Sequence, residues 1–214
     1  MDFYNKEMID NADKISEKII KEKHSNHHRD SFFPLMINEL GLKTGAEIGV
    51  DKAGFSNHIL SKTKIEKYYC IDTWQDDFGS DYRPDFFDKD GNKRFKAAYE
   101  TLKSYGDRVV MMQMTGNEAS TKVNNELDFV YIDGDHSLFG IYEDLHSWVP
   151  KVKIGGLVAG HDFKDGPKSG INDYFGKQLD YRIKTVTEDY CKKYGYKLNI
   201  VGGRILSWWF IKNI

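Results

Sequence analysis

The stretch Glu47-Ile48-Gly49-Val50-Asp51-Lys52-Ala53-Gly54-Phe55-Ser56 runs out of an apolar strand pattern, through a glycine-marked turn, into the start of a helix. A strand that hands over to a helix, and not to a second strand, opens a βα unit. The same alternation continues downstream. Short apolar runs at residues 46–50, 68–71, 109–114, 127–132 and 157–160 read as strands. Amphipathic stretches at 56–62, 94–105, 117–123 and 137–152 read as the helices between them. In the last of these, Leu138, Ile141, Tyr142, Leu145, Trp148 and Val149 share one face, with Glu143, Asp144, His146 and Lys151 opposite. Crossover helices between strands require a parallel sheet covered on both faces. The C-terminus breaks this rhythm. Two strand patterns, 197–201 and 205–211, flank Gly202-Gly203-Arg204 and predict an antiparallel hairpin closing the sheet.

Working outward, residues 1–44 read as an N-terminal helical segment and 45–214 as the main α/β unit, together one compact domain. Met8, Ala12, Ile15 and Ile19 form a narrow stripe at helical spacing. A polar break from Lys23 to Asp30, containing His24, His27 and His28, reads as a solvated loop. Ser31 then caps a short helix over 32–40, which Gly41 ends. Four prolines and the absence of a Ser/Gly/Pro-rich stretch leave no linker in 214 residues. A net charge of −2 with mixed signs gives no footprint for nucleic acid or an anionic membrane. No apolar run approaches the ~20 residues of a bilayer span, and the first residues lack an apolar signal core. Cys70 and Cys191 are not spaced as a metal or redox motif. A cytoplasmic enzyme is expected.

Ligands of an open α/β sheet bind beyond the carboxyl ends of the strands, where strand order reverses. Gly49 and Gly54 allow a tight turn and close backbone approach after the first strand. Asp51 and Ala53 depart from the G-x-G-x-x-G pattern that admits a pyrophosphate. Asp72 ends the second strand, placed to accept hydrogen bonds from a ribose. Thr115-Gly116-Asn117-Glu118 makes a polar turn after the third. Asp133-Gly134-Asp135-His136 follows the fourth, with Asp135 either in the cleft or capping the next helix. His161-Asp162 follows the fifth. Asp133, His136, His161 and Asp162 thus converge as acid–base or metal-competent groups.

Four segments in order and spacing carry a family likeness: Glu47-Ile48-Gly49-Val50, Ile71-Asp72-Thr73-Trp74, Tyr131-Ile132-Asp133-Gly134-Asp135-His136 and Gly155-Gly156-Leu157-Val158-Ala159-Gly160-His161-Asp162. The chain resembles the class I S-adenosylmethionine-dependent methyltransferases, nearest to the macrocin- and mycinamicin-type sugar O-methyltransferases. The resemblance implies the Rossmann-like sheet of that class, with donor contacts from Glu47, Gly49, Val50, Asp72, Thr73, Trp74, Gly116, Asn117 and Asp133. It also implies a base at His136, acting with Asp133 and His161. For relatives that hold Mg²⁺ or another divalent cation, the matching ligands are Asp133, Asp162 and His161, although an imidazole suits Mg²⁺ less well than oxygen.

The expected reaction is O-methylation of a small-molecule hydroxyl, a sugar by likeness, with no nucleic-acid or membrane partner. The alternatives are a nicotinamide-dependent oxidoreductase and a catalytically silent protein that keeps the donor pocket. The long connection from Trp74 to Asn92 reads as a substrate lid or as a covering loop. Trp208 and Trp209 belong to the core or to an interface. The N-terminal helix and that last strand are candidate surfaces for a homodimer.

Overall fold

A computed structural model describes the chain except residues 1–2, 23–27, 75–92, 125, 173–177 and 203–204. The lid expected over 74–92 therefore lies outside the described residues apart from Trp74. So do His24, His27 and the hairpin tip at 203–204.

Five strands form the parallel part of the sheet: β1 (Thr44–Ile48), β2 (Lys67–Asp72), β3 (Val109–Gln113), β4 (Leu127–Ile132) and β5 (Val152–Gly160). A small pair, β6 (Asp165–Asn172) and β7 (Gln178–Arg182), intervenes before β8 (Asn199–Gly202) and β9 (Leu206–Ile211). The main sheet has the order β3-β2-β1-β4-β5-β9-β8. Pairing is parallel from β3 to β5, and antiparallel where β9 meets β5 and β8. The mostly parallel sheet with a closing antiparallel hairpin is as expected. Strand order reverses between β1 and β4, which fixes where a ligand cleft opens.

Strand residues alternate between the two faces, because successive side chains point to opposite sides. Phe129, Tyr131, Leu157, Ala159, Trp209 and Ile211 join one core with Ala12, Phe32, Phe33, Met36, Phe55 and Ile59. Val130, Ile132, Val158, Trp208 and Phe210 join the other with Ala119, Ile141, Leu145, Trp148 and Cys191. The first face is covered by α1 (Phe3–Glu22), α2 (Arg29–Glu39), α3 (Gly54–Lys62) and α4 (Lys93–Leu102). The second is covered by α5 (Gly116–Lys122), α6 (Leu138–Trp148) and α7 (Ile183–Tyr194). The N-terminal segment thus shares a core with the sheet. Trp208 and Trp209 are fully buried within the chain, so their rings form core and offer no surface to a second copy.

Three local expectations are corrected. Helix α2 begins at Arg29, not after Ser31, and is capped by His28, whose ring accepts from the Asp30 amide. The part of the polar break next to α2 is therefore structured and not a solvated loop. Helix α6 is capped by Ser137, which accepts from the Gly140 amide. Asp135 braces that cap by accepting from Ser137 N and Oγ at 2.9 and 2.8 Å. Residues 165–182 add the pair β6–β7, for which the sequence pattern gives no strand signal.

Candidate active site

Backbone strain concentrates where the parallel strands end. Four non-glycine residues there take positive φ: Asp51 and Ala53 after β1, Trp74 after β2 and Asp162 after β5. Such conformations persist where surrounding structure holds them in place. Gly49 also has φ +87°, and a Cβ on it would stand 2.1 Å from the carbonyl oxygen of Asp133. Its smallness therefore lets the ends of β1 and β4 close up, and the cleft floor depends on it.

Asp72 is built as a receiver. Trp74 N donates to one of its oxygens and Asp51 N to the other, both at 2.8 Å. Burial pushes its carboxyl above the ordinary range, while those two amide bonds oppose the shift. Trp74 fixes the turn by donating its indole N–H to Asp51 O at 2.8 Å and packing its ring edge-on against Phe95. Its side chain and that of Val50 are buried in the core. Thr73 is half-buried beside Asp72.

Glu47 is buried beneath the cleft, within charge range of Arg29 and Asp133. It accepts from Ser56 Oγ at 2.6 Å and Tyr68 OH at 3.1 Å, and is 2% exposed. Burial, only partly offset by the Ser56 hydrogen bond, pushes its carboxyl up to about 8. It braces β1 against α3. Thr115 caps α5 in a reciprocal box with Glu118, which leaves Gly116 half-buried and Asn117 exposed at the helix start. Asn117 Oδ1 accepts from Ser147 of α6.

Beside this cleft, His136 Nε2 stands 3.3 Å from Asp133 Oδ1 and 3.4 Å from Asp162 Oδ2. With two carboxylates on one nitrogen, a proton on Nε2 serves both as donor. Burial pushes Asp133 up, but the His136 hydrogen bond and the Arg29 charge outweigh it and hold the group below its ordinary range. The Tyr181 ring, from β7, packs 4.9 Å from the His136 ring. His161 stands beside this group, within charge range of Asp133, Asp162 and His136. Its Nδ1 contacts Ser207 Oγ at 3.0 Å, and burial lowers it toward the neutral form.

Asp133, His136 and Asp162 each offer a ligand atom within 4.8 Å of the others, so His136 and not His161 completes the metal-competent group. The donor types suit a divalent ion. Their surroundings do not, because Arg29 Nη1 already pairs with Asp133 Oδ2 and Lys164 Nζ faces Asp162 Oδ1 at 3.5 Å. As arranged, the residues do not fit a resident cation.

Sequence reasoning missed Arg29, Ser56, Tyr68 and Asp144. The first sat in an apparent loop; the others become site-forming only through contacts distant in sequence. Asp144 reaches from α6 to stand between Gly116 and Gly134. Burial, followed by the charges of Asp135 and Glu143, drives its carboxyl up to about 8.

This sheet order, with carboxylates after β2, β4 and β5 around the reversal point, defines a class I S-adenosylmethionine-dependent methyltransferase. The chain belongs to the family described as a methyltransferase domain, which matches residues 42–163. No curated protein matches it in sequence. Among solved structures, it is similar to a Staphylococcus aureus protein provisionally assigned as a caffeoyl-CoA O-methyltransferase. That likeness has 14% identity and TM-score 0.62, and covers 98% of this chain and 100% of the other. An O-methyltransferase family protein from Burkholderia thailandensis shares 11% identity at TM-score 0.60, over 98% of this chain and 58% of its own. An rRNA methylase from Streptococcus thermophilus shares 8% at TM-score 0.52, over 81% and 90%. At such identities the likenesses establish the fold, and the acceptor is a separate question.

Proposed function

We propose that this protein transfers a methyl group from S-adenosylmethionine to a hydroxyl of a small molecule, a sugar or similar polyol. The observation that carries this reading is His136, held by Asp133 and Asp162 at the ends of neighbouring strands beside the Asp72 pocket. Asp72 would take the ribose hydroxyls, its oxygens already oriented by two amides. Gly49, Thr73, Gly116 and Asn117 would border the rest of the donor. When bound, the donor supplies an electrophilic methyl on a sulfonium, so the protein's tasks are alignment and proton removal.

His136 Nδ1 is the group to accept the hydroxyl proton. Asp133 and Asp162, on Nε2, orient the ring and stabilise the imidazolium as it forms, a role known from other carboxylate–histidine pairs. His161, tied to Ser207, acts at a distance from that proton. The divalent cation that the resemblance implies does not enter this scheme while Arg29 occupies Asp133. Among the described residues no helix is long and apolar enough to cross a membrane. We take the protein to be cytoplasmic and its partner to be a small molecule, as for the O-methyltransferases it resembles in fold; its balanced charge speaks against a nucleic-acid target. A homodimer would have to use surfaces other than the buried tryptophan rings. Phe139, 75% exposed on α6, is the more available apolar group.

Calorimetric titration with S-adenosylhomocysteine tests the donor assignment. Wild-type protein should bind, and Asp72→Ala should weaken binding by roughly 10- to 100-fold, the effect of losing charge-assisted hydrogen bonds. Binding of NAD in place of S-adenosylhomocysteine would sink the methyltransferase reading in favour of an oxidoreductase. Donor binding without turnover on any hydroxylated acceptor in a broad panel would favour the silent binding protein.

A further inference from the structure

Arg29 is the first residue of α2, yet its guanidinium reaches the far end of β4. There it pairs with Asp133 Oδ2. It is held by more than that one contact. Its guanidinium carbon lies 5.1 Å from the centre of the Phe55 ring and 5.9 Å from that of Tyr131, so two aromatic faces from α3 and β4 flank it. Asp30 Oδ1 stands 3.7 Å from Nε. A planar cation seated on aromatic faces and paired with a carboxylate is the situation that suits arginine and not lysine. Across the cluster, Lys164 faces the outer oxygen of Asp162 and is positioned over the Tyr181 ring at 4.7 Å. Two carboxylates thus meet two side-chain cations around His136, the part-buried Arg29 and the half-exposed Lys164. The charge that a divalent ion would bring is already present.

We propose that Arg29 is the resident cation of this site, standing in for a divalent metal, and that its removal uncovers a metal site made of Asp133, His136 and Asp162. The N-terminal segment is then part of the active site. Arg29 pairs with one oxygen of Asp133 while the other faces His136, so it fixes the carboxylate that orients the base. That catalytic consequence rests on the O-methyltransferase reading; the metal-binding consequence does not. Arg29 is a positioning residue, since it acts on the reaction through Asp133.

The test is Mn²⁺ titration followed by electron paramagnetic resonance of the free ion, on wild type, Arg29→Met, Arg29→Lys and Arg29→Met/Asp162→Asn, with thermal melts as the folding control. A unit charge at contact distance in a half-buried site changes ion affinity by roughly 100-fold or more. Wild type should therefore bind Mn²⁺ only in the millimolar range. Arg29→Met should bind it about 100-fold more tightly, Arg29→Lys, which keeps the charge but loses the stacked fork, should gain less than Arg29→Met, and the added Asp162→Asn should abolish the gain. Micromolar Mn²⁺ binding by wild type overturns the proposal, and this arm needs no variant to fold. A folded Arg29→Met that gains no affinity overturns it equally. No arm involves the methyl donor, so failure here is distinct from failure of the methyltransferase reading, which the S-adenosylhomocysteine titration reports.

Discussion

Asp144→Asn removes a carboxyl that the fold buries without a counter-charge among the described residues. The side chain is 7% exposed, and its oxygens abut the positions where Gly116 and Gly134 lack side chains. Burial, then the nearby charges of Asp135 and Glu143, lifts it from the ordinary 3.8 to about 8. The direction of the pH effect follows. Above pH ~4 the unfolded chain releases this proton while the folded chain retains it until about 8, so wild type loses stability as pH rises through that window. Each pH unit inside it is worth about 1.4 kcal/mol. From about pH 5 to about pH 8 the loss reaches ~4 kcal/mol as an upper limit, because water penetration and side-chain rotation relieve part of a buried charge. Asparagine has the same shape and no proton to release. In a domain of this size, 1 kcal/mol moves Tm by about 2–4 °C. The assay is thermal unfolding of both proteins across that range at fixed ionic strength, taking the difference so that other titrating groups cancel. The Tm advantage of Asp144→Asn should grow by several degrees from acid to mildly basic pH, towards a ceiling of about 8–16 °C. A difference that does not vary with pH, or a variant less stable than wild type near pH 8, would refute the reasoning and mean that Asp144 is ionised and partnered.

Glu47 behaves similarly but has partners. With its carboxyl raised from 4.5 to about 8, the wild type loses stability as pH rises between those values, so Glu47→Gln should melt close to wild type near pH 5 and increasingly above it toward pH 8. Glu47→Ala instead leaves the Ser56 and Tyr68 hydroxyls facing a void, which differential scanning calorimetry should register as a loss of about 2–4 kcal/mol. Gly49→Ala drives a methyl to 2.1 Å from the Asp133 carbonyl in a left-handed conformation; soluble yield and Tm should both fall, with a cost of about 3 kcal/mol or more. His136→Asn removes the proton acceptor but not the Asp72 pocket. Isotope-labelled methyl transfer should drop by about 100-fold or more while S-adenosylhomocysteine affinity changes by less than about threefold.

Much of this arrangement is legible without coordinates. The βα alternation beginning at Glu47, the strand ends carrying Asp72, Asp133 and Asp162, and the closing hairpin follow from periodicity and from the rule that ligands gather at the carboxyl edge of a parallel sheet. These are local patterns, each contained within about ten residues. What the sequence withheld depends on pairs distant along the chain. Arg29 lies 104 residues from Asp133, and nothing in the polar run around it marks a buried cation. His161 looks equal to His136 as a string of letters, yet Ser207, 46 residues on, takes its ring. The partners of Glu47 and Trp74 are equally hidden in the string: Glu47 accepts from Ser56 and Tyr68, and Trp74 packs against Phe95. Hydrophobic period and turn chemistry are set by neighbours in sequence, and so the sequence alone determined the sheet, its faces and the edge where chemistry belongs. Which charge pairs with which, and whether a carboxylate is left for a metal, depends on burial and on distances of a few ångströms, and only the tertiary structure decided that.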